Sequence, residues 1–344
     1  MSELSSIVLA AGLGKRMKSR LPKVLHPVAG FPLVHYPVRA ALEVGAREVV
    51  VVVSPQTRDA VERDLTATFG RDRIRTAVQH PPRGTGDAAR AGLTGIDTDQ
   101  VLILCGDTPL LTAADLGPLA QSLEEHPHAV LTVLSCVVED PGGYGRVLRD
   151  SVGHVASIRE HRDCTREERS VREVNAGVYA ARTQFLRAAL DEITPSNAQG
   201  EYYLTDAVAL AARTHGALAV LGNPDGLVGV NDRWQLAEAE ASLFARHARL
   251  HAAAGVTVHP TACIEAGVRI EPDVRIGAGA HLRGQTRIGT NVLVDAGCVL
   301  VDAVVGEGSH LAPYTVIDGC TVAARTRTRP HQTFDGAAPP EPTT

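Results

Sequence analysis

The residues best suited to chemistry lie in one stretch, LAAGLGKRMKSRLPKVLH from Leu9 to His26, where an apolar strand runs into a glycine-containing basic loop. Gly12 and Gly14 free the backbone so that its N–H groups can approach an anion closely. Lys15, Arg16, Lys18, Arg20 and Lys23 follow at once. Phosphoryl and nucleotidyl transfer need fixed cations of this kind on the oxygens where negative charge gathers. Two other phosphate loops are excluded by spacing. A P-loop places four residues between its glycines and then Gly-Lys-Ser/Thr, and the dinucleotide fingerprint needs a third glycine where Met17 stands.

An acidic turn complements the basic loop. Asp107 ends the apolar run VLILC in the turn CGDTPLL, from which a strand end can present a carboxylate to a hard cation such as Mg2+. Asp before Thr-Pro is equally a routine turn or capping residue. Asn231, before DRWQL, taken alone reads as a helix cap.

The elements that must position these residues follow from the hydrophobic pattern. From the start to about Gly229, short β-branched runs (SSIVLA, EVVVVVS, IRTAVQ, VLILCGD, AVLTVLSCVV) alternate with helical stretches such as TRDAVERDLTATFG and TAADLGPLAQSLEEH. Such alternation predicts a mostly parallel sheet covered on both faces. Ligands of such sheets bind at the carboxyl ends of the strands, so the basic loop and the acidic turn are expected at one crevice. Residues 231–255, rich in Ala, Leu, Glu and Arg and ending in glycine, predict a linker helix.

Beyond Gly255 an aliphatic residue recurs every six positions, at Val258, Ile264, Ile270, Ile276, Leu282, Ile288, Val294 and Leu300. The frame slips by one residue and resumes at Val305, Leu311 and Ile317. A period of six predicts a hexapeptide β-helix over 256–324. The polar, Pro-rich stretch 325–344 has lost the period and is expected to be a disordered tail.

Composition sets outer bounds. A chain of 344 residues, 44% hydrophobic and 21% charged, has the length for two domains. The formal charge of −5 gives no global basic field for a nucleic acid. The six cysteines show neither metal-finger spacing nor the pattern of a small secreted scaffold. No membrane-length apolar run or signal peptide is evident in the N-terminal half, so a cytoplasmic location without membrane partners is expected.

With LAAGLGKRM and LPKVLH, six further pieces fall in one order: Gln79 with GTG at 84–86, GDTPL at 106–110, GYGRVLR at 143–149, Glu160-His161, EVNAGVY at 173–179 and NAQGEYYLTD at 197–206, followed by GVNDRWQLAEAE at 229–240. On these motifs the chain resembles, over nearly all of residues 3–323, the bifunctional N-acetylglucosamine-1-phosphate uridyltransferase/glucosamine-1-phosphate acetyltransferase family, GlmU. The resemblance implies a Rossmann-like nucleotidyltransferase domain over 1–230, then the linker helix and a short left-handed parallel β-helix. It implies Mg2+ held by Asp107 and Asn231, and catalysis by Arg16, Lys23 and Asp107. Leu9, Ala10, Ala11, Gly12, Gln79, Gly84, Thr85 and Gly106 would bind the nucleotide, with Gln79, Gly84 and Thr85 reading uracil. Gly145, Glu160 and Asn175 would hold the acetylated sugar.

The implied reaction joins UTP and N-acetylglucosamine 1-phosphate to give UDP-N-acetylglucosamine and pyrophosphate, in a homotrimer formed through the β-helix. Lys15, Pro81, Pro82, Asp87 and Ala176 depart from the family's frequent residues beside these contacts. Family members carry a longer β-helix with an acetyltransferase site, and His281, His310 and His331 do not match its motif, so acetyl transfer is not expected. Two other readings stay open: a related nucleotidyltransferase of different sugar or base, and an inactive assembly subunit.

Overall fold

The computed structural model of the chain describes residues 3–227 and 229–336. These residues group into two compact units, one of residues 1–26 and 32–235 and one of residues 27–31 and 236–344.

In the first unit, β1 (Leu4–Leu9) is followed, after the short strands β2 (Pro27–Val28) and β3 (Phe31–Pro32) whose residues 27–31 group with the second unit, by α1 (His35–Glu43), β4 (Val49–Val53), α2 (Arg58–Phe69), β5 (Ile74–Val78), α3 (Thr85–Leu93) and β6 (Gln100–Cys105). The chain continues through α4 (Ala113–Glu125), β7 (Leu131–Val137), β8 (Arg146–Arg149), β9 (Val155–Arg159), β10 (Glu173–Arg182), α5 (Thr183–Glu192), α6 (Asp206–Ala212) and β11 (Ala217–Leu221). One nine-stranded sheet runs β11-β7-β10-β6-β1-β4-β5, with β8 and β9 paired off this path. The parallel core expected from the alternation is present: β1 pairs in parallel with β4 and β6, β4 with β5, and β7 with β11.

Strand residues alternate between two apolar layers. Val8, Val51, Leu102 and Leu104 pack on one face, and Ile7, Val52, Val101 and Ile103 on the other. All eight are fully buried, as strands covered on both sides require. The pattern did not reveal β10, which runs antiparallel between β6 and β7, or the β8–β9 hairpin.

In the second unit, helix α7 (Arg233–Ala253), which begins in the first, leads into the β-helix. The expected separate linker thus divides differently. From Leu236 onward the helix groups with the repeats, where Glu240 accepts a hydrogen bond from Ala29 N at 3.0 Å and His247 meets Ile264 O at 2.8 Å. The repeats form three parallel sheets, of four, five and four strands. Ile264, Leu282, Leu300 and Ile317 are fully buried and stack at one position of successive coils.

The frame slip has a plain structural form. Arg287 pairs with Val304 and Leu293 with His310, a spacing one residue shorter than the pairing of Arg269 with Arg287. The repeat also continues past its expected end at 324. Val322 is buried, and strand Thr333–Asp335 pairs with Val316–Asp318, so 325–336 is ordered rather than a tail. Thr328 stands where an aliphatic residue is due, its hydroxyl meeting Ala312 N and Thr315 Oγ1, both at 2.8 Å. This polar stand-in hid the last coil from the pattern. Residues 337–344, the rest of the expected tail, lie outside the described residues.

Candidate active site

The carboxyl ends of β1 and β6 lie side by side, with Leu9 and Cys105 as register partners and Gly106 N donating to Leu9 O at 2.9 Å. The basic loop and the acidic turn therefore leave the sheet next to each other. Of the two loop glycines only Gly14 is sterically required: it has φ +57, and a Cβ there would stand 2.5 Å from Lys23 Cβ. Gly12 has an ordinary φ and, beyond its chain neighbours, no protein atom within 4 Å of where a Cβ would stand, so the fold itself does not require glycine there.

Gly14 thereby lets Lys23 lie against the loop, where its ammonium pairs with the Asp107 carboxylate. Arg16 donates to Asn231 Oδ1 at 2.8 Å. The loop carrying Asn231 is tied to the same turn, since Val230 N donates to Asp107 O at 2.8 Å, and within the loop Asn231 Nδ2 donates to Gly229 O at 3.2 Å. The four residues expected to handle phosphate and metal are thus brought together as two pairs. Lys18 and Arg20 are exposed.

The capping roles that Asp107 and Asn231 could have filled belong to neighbours. Asp232 Oδ1 accepts from Trp234 N and Gln235 N, both at 2.9 Å, and so caps α7. Thr112 and Asp115 form the capping box of α4. The side-chain oxygens of Asp107 and Asn231 are thus not spent on capping and face Lys23 and Arg16 instead. Both are hard oxygen donors, and no group of three or more His, Cys, Asp or Glu side chains poised for a metal occurs among the described residues. A carboxylate and an amide oxygen suit Mg2+, which usually completes its shell with water and substrate phosphates.

Gly145, Glu160 and Asn175 also converge. Asn175 N donates to Gly145 O at 2.9 Å, and a Cβ on Gly145 would lie 3.6 Å from Glu160 Oε1. A register shift in β10 between Asn175 and Tyr179 turns Asn175 so that its Nδ2 donates to Tyr179 Oη at 2.7 Å and its Oδ1 accepts from Gly177 N at 2.9 Å. Thr205, from the YYLTD segment, donates to Glu160 Oε1 at 3.2 Å. Burial, against that hydrogen bond and with the charges of Asp163 and Asp206, holds the Glu160 carboxyl above its usual range.

Cys105 links this cluster to the phosphate side. Burial and then the Asp107 carboxylate push its thiol up to about 12, with Lys23 opposing and Glu160 adding. The thiol thus stays protonated and donates to Gly177 O at 3.4 Å. Cys105, Tyr179 and Thr205 were not singled out from the sequence, although Tyr179 and Thr205 lie inside quoted motifs.

The third group lies beyond β5. Gly84 has φ +112, and a Cβ there would stand 2.5 Å from Tyr202 O. Tyr202 N donates to Arg83 O at 2.8 Å, Gly86 N to Tyr202 O at 2.7 Å and Leu204 N to Thr85 Oγ1 at 3.0 Å. The GTG turn is thereby locked to the YYLTD segment. Gln79 Nε2 donates to Gly84 O at 2.9 Å. Ala10 and Ala11 are buried, Leu9 is half-buried and Gly12 exposed.

A parallel-centred α/β sheet with a basic loop and an acidic turn at its carboxyl edge, followed by a hexapeptide β-helix, defines a nucleotidyltransferase architecture. Residues 6–178 match the MobA-like NTP transferase domain, and residues 267–302 match the bacterial transferase hexapeptide (six repeats). The chain is 49% identical over 326 residues to the bifunctional protein GlmU of Sorangium cellulosum (strain So ce56), which covers 93% of this chain and 69% of that protein. It is 44% identical over 330 residues to the bifunctional protein GlmU of Anaeromyxobacter sp. (strain Fw109-5), covering 94% of this chain and 66% of that protein. The chain belongs to the GlmU family and spans about two thirds of the length of these relatives. No helix among the described residues is long and apolar enough to cross a membrane.

Proposed function

We propose that the chain is a uridyltransferase that makes UDP-N-acetylglucosamine and pyrophosphate from UTP and N-acetylglucosamine 1-phosphate. The observation that carries the reading is the pair of contacts Lys23–Asp107 and Arg16–Asn231 beside the Gly145, Glu160 and Asn175 cluster. Two cations and two hard oxygen donors at the strand ends, with a polar cluster linked to them through Cys105, support this reading.

In this reading a phosphate oxygen of the sugar phosphate attacks the α-phosphorus of UTP. The new O–P bond forms as the bond to the β-phosphate oxygen breaks, and pyrophosphate leaves. No covalent enzyme intermediate is needed, so catalysis is positioning and charge neutralisation. Arg16 and Lys23 neutralise the triphosphate and the developing pyrophosphate. Asp107 and Asn231 would hold Mg2+, which when bound supplies further positive charge on the phosphate oxygens. Glu160 and Asn175 offer an acceptor and an amide to the sugar's hydroxyl and acetamido groups, while Gly145 leaves space for it. Leu9 to Gly12 and Gly106 would cover the nucleoside, with Gln79, Gly84 and Thr85 on the base.

We also infer that the β-helix residues present here do not perform acetyl transfer. The ground is that His281, His310 and His331 do not match the acetyltransferase motif of the family. Incubating the protein with acetyl-CoA and glucosamine 1-phosphate should release no thiol above background. Pyrophosphate release from UTP and N-acetylglucosamine 1-phosphate tests the main reading, and a chain inert with every sugar phosphate would favour an assembly role.

A further inference from the structure

A buried glutamine amide next to the GTG turn has only one orientation open to it. Gln79 follows β5, with its backbone N donating to Val53 O at 2.9 Å and the residue only 4% exposed. Its Nε2 lies 2.9 Å from Gly84 O and 3.0 Å from Asp87 Oδ2. A peptide carbonyl and an ionised carboxylate can only accept. A flipped amide would set its oxygen against two other oxygens, so the nitrogen must face them.

Asp87 is itself held as an acceptor. Burial alone would raise its carboxyl, but hydrogen bonds from Gln79 and Arg83 and the charges of Arg83 and Arg90 outweigh this and hold it below the usual carboxylate range. Arg83 donates to Asp87 Oδ1 at 2.7 Å, leaving Oδ2 for Gln79. With its nitrogen committed twice, Gln79 has its oxygen left. Among the described residues that oxygen takes no donor, and it is not sealed from solvent.

We propose that Asp87, acting through Gln79, sets the base preference of the nucleotide site. By fixing the amide it makes Gln79 present an acceptor alone, which matches a ring N–H such as N3–H of uracil or thymine and clashes with the bare N3 of cytosine. Asp87 is a positioning residue in this scheme and touches no substrate. The inference rests on Gln79 facing the base, as in the proposed function.

The test compares kcat/KM for UTP and for CTP, with N-acetylglucosamine 1-phosphate, in wild type and in Asp87→Asn. An asparagine must turn its NH2 toward either Arg83 or Gln79, and in the second case the Gln79 nitrogen, still held by Gly84 O, faces a donor, so the amide loses its single favoured orientation. The UTP:CTP ratio should fall by about tenfold or more, the size of one hydrogen bond exchanged for a mismatch. Asp87→Ser, whose small hydroxyl can donate or accept, should lower the ratio in the same direction and serves if Asp87→Asn does not fold, as judged by thermal melting. A folded variant whose activities fall in parallel, with the ratio unchanged, would assign Asp87 a purely structural role and overturn the inference. A wild-type enzyme that prefers CTP, or shows no preference between the two, would overturn both this inference and the uridyl reading. Wild-type preference for UTP with an unaltered variant ratio would overturn this inference alone.

Discussion

Lys23 and Asp107, 84 residues apart in sequence, form an ion pair beside the paired carboxyl ends of β1 and β6. Each neutralises the other's charge, so a phosphate at Lys23 and a cation at Asp107 compete with this pairing.

This pairing makes a testable statement about binding. Asp107→Ala frees the Lys23 ammonium, so in EDTA the variant should bind UTP more tightly than wild type does, by calorimetry. Its turnover should nevertheless fall on the order of a hundredfold or more, as on removing a preorganised electrostatic group. Unaltered metal-free affinity would show that the pair does not compete with the triphosphate, and a near-normal rate would remove Asp107 from the mechanism.

Arg16 meets Asn231 rather than a carboxylate, so removing it strands no buried charge. Arg16→Ala should lower turnover by a similar order while changing KM for the sugar phosphate little, because its charge matters most in the transition state. A variant altered in KM alone would assign Arg16 to ground-state binding.

Glu160 should give the reaction an acid limb. Burial raises its carboxyl, so it takes up a proton at a higher pH than an ordinary glutamate, near 4.3. Protonation removes the charge and turns one acceptor oxygen into a donor, weakening the bond offered to the sugar, so KM for the sugar phosphate should climb as pH falls toward that raised value. Glu160→Gln should show a high KM without this limb. The stability sign is opposite. With the folded value above the unfolded one, the protonated group favours the fold at low pH, and this contribution is lost as pH rises through the folded value. At pH 7 to 8, Glu160→Gln should therefore melt higher than wild type. A variant with wild-type KM would exclude Glu160 from the sugar site.

Gly84 has φ +112 and ψ 176, a region open essentially to glycine, with Tyr202 O where a Cβ would go. Gly84→Ala should cost about 1–3 kcal/mol of stability for the strained backbone and weaken nucleotide binding more than sugar binding. Gly12→Ala, with open space at its Cβ, should leave the melting temperature unchanged. Equal melting temperatures for both variants would contradict the steric reading of Gly84.

Assembly is open to a direct check. The proposed homotrimer would form through the β-helix, whose repeat reaches Asp335 among the described residues. Light scattering on the whole chain should give three times the 36.3 kDa chain mass. A single-chain mass at high concentration would contradict a trimer.

Much of this was legible in the sequence because the signals are local. The parallel strands announce themselves as β-branched runs, and the convergence of the basic loop with Asp107 follows from strand ends alone. The six-residue period located the β-helix. What stayed hidden depends on partners distant in sequence. EVNAGVYAAR gives no sign that it will run antiparallel between β6 and β7, since only its neighbours fix that direction. The last coil was masked by Thr328, whose hydroxyl fills an apolar position by hydrogen bonding. Asn231 looked like a cap until Asp232 proved to fill that role. The orientation of the Gln79 amide was beyond reach, because it follows from two acceptors that only the folded turn brings to its nitrogen.

The central claim is most directly tested by pyrophosphate release from UTP, dTTP, CTP and GTP, each with a panel of sugar 1-phosphates and Mg2+, using wild type with Asp107→Ala as control. Release should be fastest with UTP and N-acetylglucosamine 1-phosphate, with UDP-N-acetylglucosamine as the product, and should collapse in the variant. Fastest release with a different base or sugar, or undiminished release by Asp107→Ala, would contradict the account.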